Sequence, residues 1–104
     1  MKTIAFKMKL KSGYEQEYKK RHDEIWPELA TLLHAAGISD YSIFLDEETN
    51  VLFAIQKVTD NNTVNDLPNH PIMKKWWDYM CDIMEVNPDN SPIALSLKEV
   101  FYMK

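Results

Sequence analysis

Tyr18 and His22 stand four residues apart in the stretch YKKRHDEIWPEL, residues 18–29. On a helix that spacing aims a phenol and an imidazole from adjacent turns of one face. His22 falls on the apolar stripe, where a packing residue is expected. A lone histidine there serves structure more often than chemistry, but the nearby tyrosine makes acid–base work a reasonable expectation, because imidazole exchanges a proton near neutrality. Pro27 adds a second oddity. It lacks an N–H, so the carbonyl of Asp23 loses its helical partner. Either the helix bends beside His22, or Trp26 and Pro27 start a second helical segment with Glu28 in its first turn.

Trp76 and Trp77 are adjacent and therefore about 100° apart on a helix, so one of them must look away from the core centre. An indole offers a flat wall for the apolar face of a sugar and an N–H for a hydroxyl. Tyr41 opens a strand, where it either packs at the sheet edge or reaches beneath the helices towards a ligand. The remaining titratable residues suggest less. His34 sits near a helix end and His70 precedes a helix, and both read as structural or exposed. The three histidines are too dispersed for metal ligation. Cys81 is the lone cysteine, which excludes an internal disulfide and reads as a small buried apolar residue. With two glycines in the chain there is no phosphate-cradling loop, and no serine elbow is present.

These side chains need a scaffold, and the hydrophobic periodicity supplies one. Residues 3–10 alternate Ile4, Phe6, Met8 and Leu10 with polar or small residues, as a half-buried strand does. From Tyr14 to Ala36 the apolar residues follow helical spacing, and Gly37 provides a stop. YSIFLD and VLFAIQKV flank EETN as a hairpin, residues 59–69 form a polar loop with at most a short helix in the middle, and Pro71 opens a second helix running to Met84. NPDNSP ends that helix, and IALSLKEVFYM reads as a last strand.

The order β, α, β, β, α, β predicts a single α+β domain over residues 1–104. This is the ferredoxin-like split βαβ, a four-stranded antiparallel sheet with its helices on one face. The uncovered face would carry Ala5, Phe44 or its neighbours, and Phe53 or Leu52. That is too much apolar surface to leave in water, so two copies are expected to pack as a homodimer, a dimeric α/β barrel.

Composition narrows the partners. The chain is 45% apolar and 27% charged, as soluble globular domains are. A net charge of −4 argues against nucleic acid. The one basic cluster, YKKR, is followed by Asp23 and Glu24. No run approaches the roughly 20 apolar residues that span a bilayer, and the start KTIAFKMKL lacks the apolar core of an export signal, which points to the cytoplasm.

Five spaced motifs carry a family resemblance: KRH at 20–22, IWPEL at 25–29, WW with YM within 76–80, NPDNSP at 87–92 and EVFY at 99–102. Together they resemble the L-rhamnose mutarotase family over nearly the whole chain. The resemblance implies a cytoplasmic, cofactor-free homodimer that interconverts the α and β anomers of L-rhamnose. It makes His22 the catalytic histidine and Tyr18, Tyr41, Trp76 and Trp77 the substrate contacts. Mutarotation needs only proton transfers, and the second carrier could be Tyr18, a water or Asp89. Two other readings stay open: a cofactor-independent oxygenase or isomerase of the same dimeric barrel type, and a non-catalytic small-ligand-binding dimer.

Overall fold

Alternation in β1 (Lys2–Lys9) turns Ile4, Phe6 and Met8 to one side, and Met8 and the following Leu10 are buried. The structure, a computed structural model, describes residues 1–104. Strand β3 (Val51–Val58) alternates the same way, with Leu52, Ala54, Gln56 and Val58 all buried. The two strands pair antiparallel in a register that sets Met8 opposite Leu52, Phe6 opposite Ala54 and Ile4 opposite Gln56, so the buried sets share one face. Strand β2 (Ile38–Asp46) joins the other edge of β3, and β4 (Leu95–Leu97) joins the other edge of β1. The order β2-β3-β1-β4 with antiparallel neighbours is that of the ferredoxin-like split βαβ.

Three α-helices cover the inner face. Tyr18 of α1 (Glu15–Asp23), Leu29 of α2 (Pro27–Ala35), and Trp76 and Met80 of α3 (Pro71–Met80) join Met8, Leu10, Leu52, Ala54, Ile83 and Met84 in one buried cluster. Where one helix with a bend was an option for residues 14–36, the chain forms two. Pro27 takes the first position of α2, and Trp26 is extended at φ −60° and ψ 129°, the backbone a residue before proline prefers. Gly37 then ends α2 at φ +101°; a Cβ there would collide with Thr59 Oγ1.

Other boundaries also shift. The strand expected at Tyr41 begins at Ile38, and the helix expected to run to Met84 ends at Met80 in a turn. A 3-10 segment, Val64–Asn69, occupies the end of the polar loop rather than its middle. The last strand is only three residues long, because it pairs with Ala5, Phe6 and Lys7 alone. Beyond it Val100, Phe101, Tyr102 and Met103 stand exposed without regular structure. Cys81 is half-buried rather than fully buried, with its thiol donating to the carbonyl of Asp78.

On the outer face of the sheet, Phe44 pairs with Phe53, and Ala5 lies between Ile55 and Leu97. Phe44, Ile55, Leu95 and Leu97 are exposed there, whereas Leu52 belongs to the core. No helix is long and apolar enough to cross a membrane.

Candidate active site

Helix α1 carries its two candidate groups on the inward side. Tyr18 is buried, and the His22 ring stacks on it with centroids 4.2 Å apart and planes at 27°. The Nδ1 of His22 lies 3.0 Å from the carbonyl oxygen of Tyr18, one turn back. A carbonyl can only accept, so Nδ1 carries the proton and Nε2 keeps its lone pair. Burial lowers the His22 pKa from its ordinary 6.5, against the opposing pull of the Tyr18 carbonyl and Asp23. The ring is therefore neutral at physiological pH, with a basic Nε2. Burial also raises the Tyr18 phenol, with a further rise from Tyr41, so that hydroxyl stays protonated.

Tyr41 reaches the same space through a backbone irregularity. In β2, Ile38 and Ser39 pair with Val58 and Lys57, and pairing resumes with Ser42 opposite Ile55. Asp40 and Tyr41 thus face the single residue Gln56, a bulge in which Asp40 adopts φ +46°. The extra residue reverses the alternation, and Tyr41 turns inward although strict pairing from Ile38 would have turned it out. Tyr41 as a whole is 39% exposed, but desolvation around its hydroxyl raises its pKa, and the Gln56 side chain opposes that rise. Gln56 is the one polar residue in the buried set.

The third wall is aromatic. Trp76 is buried and meets His22 edge-on, at 5.5 Å between centroids and 88° between planes. Trp26 packs edge-on against Trp76 at 5.1 Å and stacks on Tyr79 at 5.6 Å. Trp77 is half-buried on the neighbouring face of α3. The expectation that the two tryptophans divide their roles holds in part: Trp76 belongs to the core cluster, yet both line the cavity.

That cavity, about 1020 Å³, lies between the sheet and the helices and brings together all five expected residues: Tyr18, His22, Tyr41, Trp76 and Trp77. Most of its other walls are apolar, with Gln56 as an amide among them. The NPDNSP segment closes one side. It is a turn bridged by Val86 and Pro92, anchored to α3 where Asn90 donates to Asp78 at 3.0 Å, and its Ser91 and Pro92 reach the cavity. Asp89 does not line the cavity. Hydrogen bonds from the Ser91 hydroxyl and backbone hold its carboxyl below the usual range. His34 lies at the rim and is exposed, and His70 accepts from the Ile72 N–H as the cap of α3. No three His, Cys, Asp or Glu side chains are gathered as a metal site would require.

Sequence reasoning missed Trp26, Tyr79, Gln56 and Arg21. The first was detectable, since Trp26 extends the four-residue spacing of Tyr18 and His22. Gln56 depended on the bulge, which leaves no periodic signal.

Comparison with known proteins gives one consistent picture. The family model described as L-rhamnose mutarotase matches residues 3–103. An L-rhamnose mutarotase from Formosa agariphila is 61% identical over 104 residues, covering 100% of both chains. One from Bacteroides thetaiotaomicron is 62% identical over 103 residues, 99% of each chain. The crystal structure of the L-rhamnose mutarotase from Formosa agariphila, 60% identical, superposes with a TM-score of 0.94 and covers 100% of both chains. With the family model matched over residues 3–103 and the fold and sequence matched along its length, the chain belongs to the L-rhamnose mutarotase family.

Proposed function

We propose that this chain, as a single cytoplasmic domain, interconverts the α and β anomers of L-rhamnopyranose. His22 Nε2 takes the proton of the anomeric hydroxyl while the bond between the anomeric carbon and the ring oxygen breaks. The ring oxygen receives a proton as it leaves, and the sugar becomes an open-chain aldehyde. After rotation about the bond next to the carbonyl, the freed hydroxyl attacks the other face, losing its proton as the carbonyl oxygen regains one from the imidazolium. Protons and electron pairs balance over the cycle.

Water is the second carrier in this reading. Tyr18 is held too weakly acidic to give up its proton readily, and Asp89 is held ionised outside the cavity wall. Tyr18, Tyr41, Trp76 and Trp77 hold the sugar, two by hydroxyl and two by indole. A gain of about 10² to 10⁴ from positioned acid–base groups is enough for a reaction that water already supports.

The observation that carries the reading is the placement of His22, its Nδ1 3.0 Å from the Tyr18 carbonyl oxygen and its ring at the cavity. Saturation-transfer NMR of the anomeric protons tests it. Exchange should speed up with added protein at neutral pH, and no acceleration for L-rhamnose would refute the function.

Two copies act together in this reading, joined through the outer sheet face. Only 14 of 104 residues are buried in the isolated chain, and Phe44, Ile55, Leu95 and Leu97 form an apolar surface with the exposed tail beyond it. The free Cys81 suits the reducing conditions of the cytoplasm.

A further inference from the structure

Arg21 precedes His22 and points about 100° away around α1, out of the cavity and towards the end of α3. Its Nε donates to Glu17 Oε2 at 2.7 Å. Nη1 donates to the carbonyl of Tyr79 at 2.8 Å and to Asp82 Oδ1 at 2.9 Å, and Nη2 donates to Asp82 Oδ2 at 3.3 Å. The guanidinium carbon also lies 4.5 Å above the Tyr79 ring. The side chain is only 11% exposed. The Tyr79 carbonyl belongs to the last turn of α3, where carbonyls lack helical partners and a cation is favoured.

Neither Arg21, Tyr79 nor Asp82 lines the cavity, so none of them is placed to touch a sugar. Yet the three join the helix that presents His22 to the helix that presents Trp76. Helix α1 has nine residues and no side-chain cap at its start. A helix that short is marginal alone, so its place is set by what it grips. Tyr18 anchors one side in the core, and Arg21 fixes the other.

We propose that Arg21 is a positioning residue: its fork to Asp82 and the Tyr79 carbonyl holds α1 in register with α3 and so sets the His22 ring against Trp76. The consequence for rate rests on the reading of His22 as the proton carrier. A lysine cannot replace the fork, because an ammonium has neither the planar bidentate geometry nor the reach to three acceptors at once.

Arg21→Lys and Asp82→Ala test this from the two ends of the clamp. Asp82 is 63% exposed, so its truncation spares the core if Arg21→Lys does not fold. Both variants should lower kcat for anomer exchange by about 10-fold or more, the scale of a small misplacement at a reacting centre. KM should stay within about twofold, because the sugar contacts are untouched. The NMR resonances of the His22 ring protons, shifted by the Tyr18 stack and the Trp76 edge, should move towards those of an unpacked histidine. Wild-type kcat with unmoved ring resonances in both variants would overturn the proposal, and so would a raised KM at unchanged kcat. His22→Ala, measured alongside, separates the two ideas. If that variant keeps the wild-type rate, the proton-carrier reading fails, and the clamp is then judged on the ring resonances alone.

Discussion

The Nδ1 of His22 faces the carbonyl of Tyr18 at 3.0 Å, and the two rings stack at 4.2 Å, so a single helical turn fixes both the tautomer and the orientation of the imidazole. His22→Ala removes the free Nε2 and should lower the catalysed exchange by about 10² or more with the fold retained. A purely structural histidine would behave differently. Its loss would leave a small void and cost about 1 to 3 kcal/mol of stability at an unchanged rate. Thermal unfolding and anomer exchange on the same variant distinguish these outcomes. A protein that melts early but exchanges rhamnose at the wild-type rate below its melting point defeats the catalytic assignment.

The pH dependence follows from the same ring. Burial holds the folded pKa of His22 below 6.5, its value in the unfolded chain. Between the folded value and 6.5 the unfolded state therefore binds more protons, and stability rises with pH across that window and levels off above it. Activity should follow the neutral imidazole, climbing through an apparent pKa below 6.5 to a plateau at neutral pH. An exchange rate that rises through a pKa above 6.5 would contradict the burial argument. In His22→Ala, this part of the slope of stability against pH should disappear.

Tyr18 and Tyr41 should separate by hydroxyl deletion. Tyr18→Phe keeps the stacked ring and the backbone carbonyl that holds His22, so the rate should fall only mildly. Tyr41→Phe removes a hydroxyl that faces the buried amide of Gln56. It should raise KM more than it lowers kcat, because binding weakens while the proton carrier stays in place. A Tyr18→Phe loss as deep as that of His22→Ala would make the phenol a proton carrier in its own right.

How much of this was legible in the sequence depends on whether a feature is periodic. Alternation in β1 is a local signal that places the inner side of that strand, whereas in β3 it left Phe53 or Leu52 open for the outer face, and the apolar stripe of α3 does not say which of Trp76 and Trp77 enters the core. The break at Trp26 and Pro27 was one of two readings, because the missing N–H permits either a bend or a new start; packing of Trp26 against Trp76 and Tyr79 selects the new start. The inward turn of Tyr41 needed the bulge at Asp40, which arises from pairing with β3 and cannot be seen in β2 alone. The Arg21 clamp spans about 60 positions, from residue 21 to residue 82. A basic residue next to Lys20 gives no hint of so distant a partner.

Substrate choice should reflect the apolar walls. L-rhamnose carries a methyl where L-mannose carries a hydroxymethyl, and the cavity offers Trp76, Trp77, Met73 and Met80 as surfaces for it. Placing a hydroxyl against those surfaces without a partner should cost about 1 to 3 kcal/mol in kcat/KM. Anomer-exchange rates for the two sugars at equal concentration measure this directly, and equal values would show that the methyl is not recognised.

The outer sheet face yields the last prediction. Ala5 sits between Ile55 and Leu97 in the sheet, and Phe44 beside Phe53, so the apolar surface runs across all four strands. A second copy of this face would cover it, and a stable interface needs about 800 Å² from each partner. Sedimentation should therefore give a dimer at micromolar concentration. Ile55→Lys places a cation in the middle of that surface, close to Lys7 and Lys57 of the same sheet. In a monomer the new ammonium would be solvated and nearly neutral in effect; across a two-fold interface it would be desolvated beside a like charge. The variant should sediment as a monomer with its far-UV circular dichroism unchanged. A wild-type chain that sediments as a monomer at micromolar concentration would remove the dimer, and an Ile55→Lys variant that remains dimeric would move the interface elsewhere.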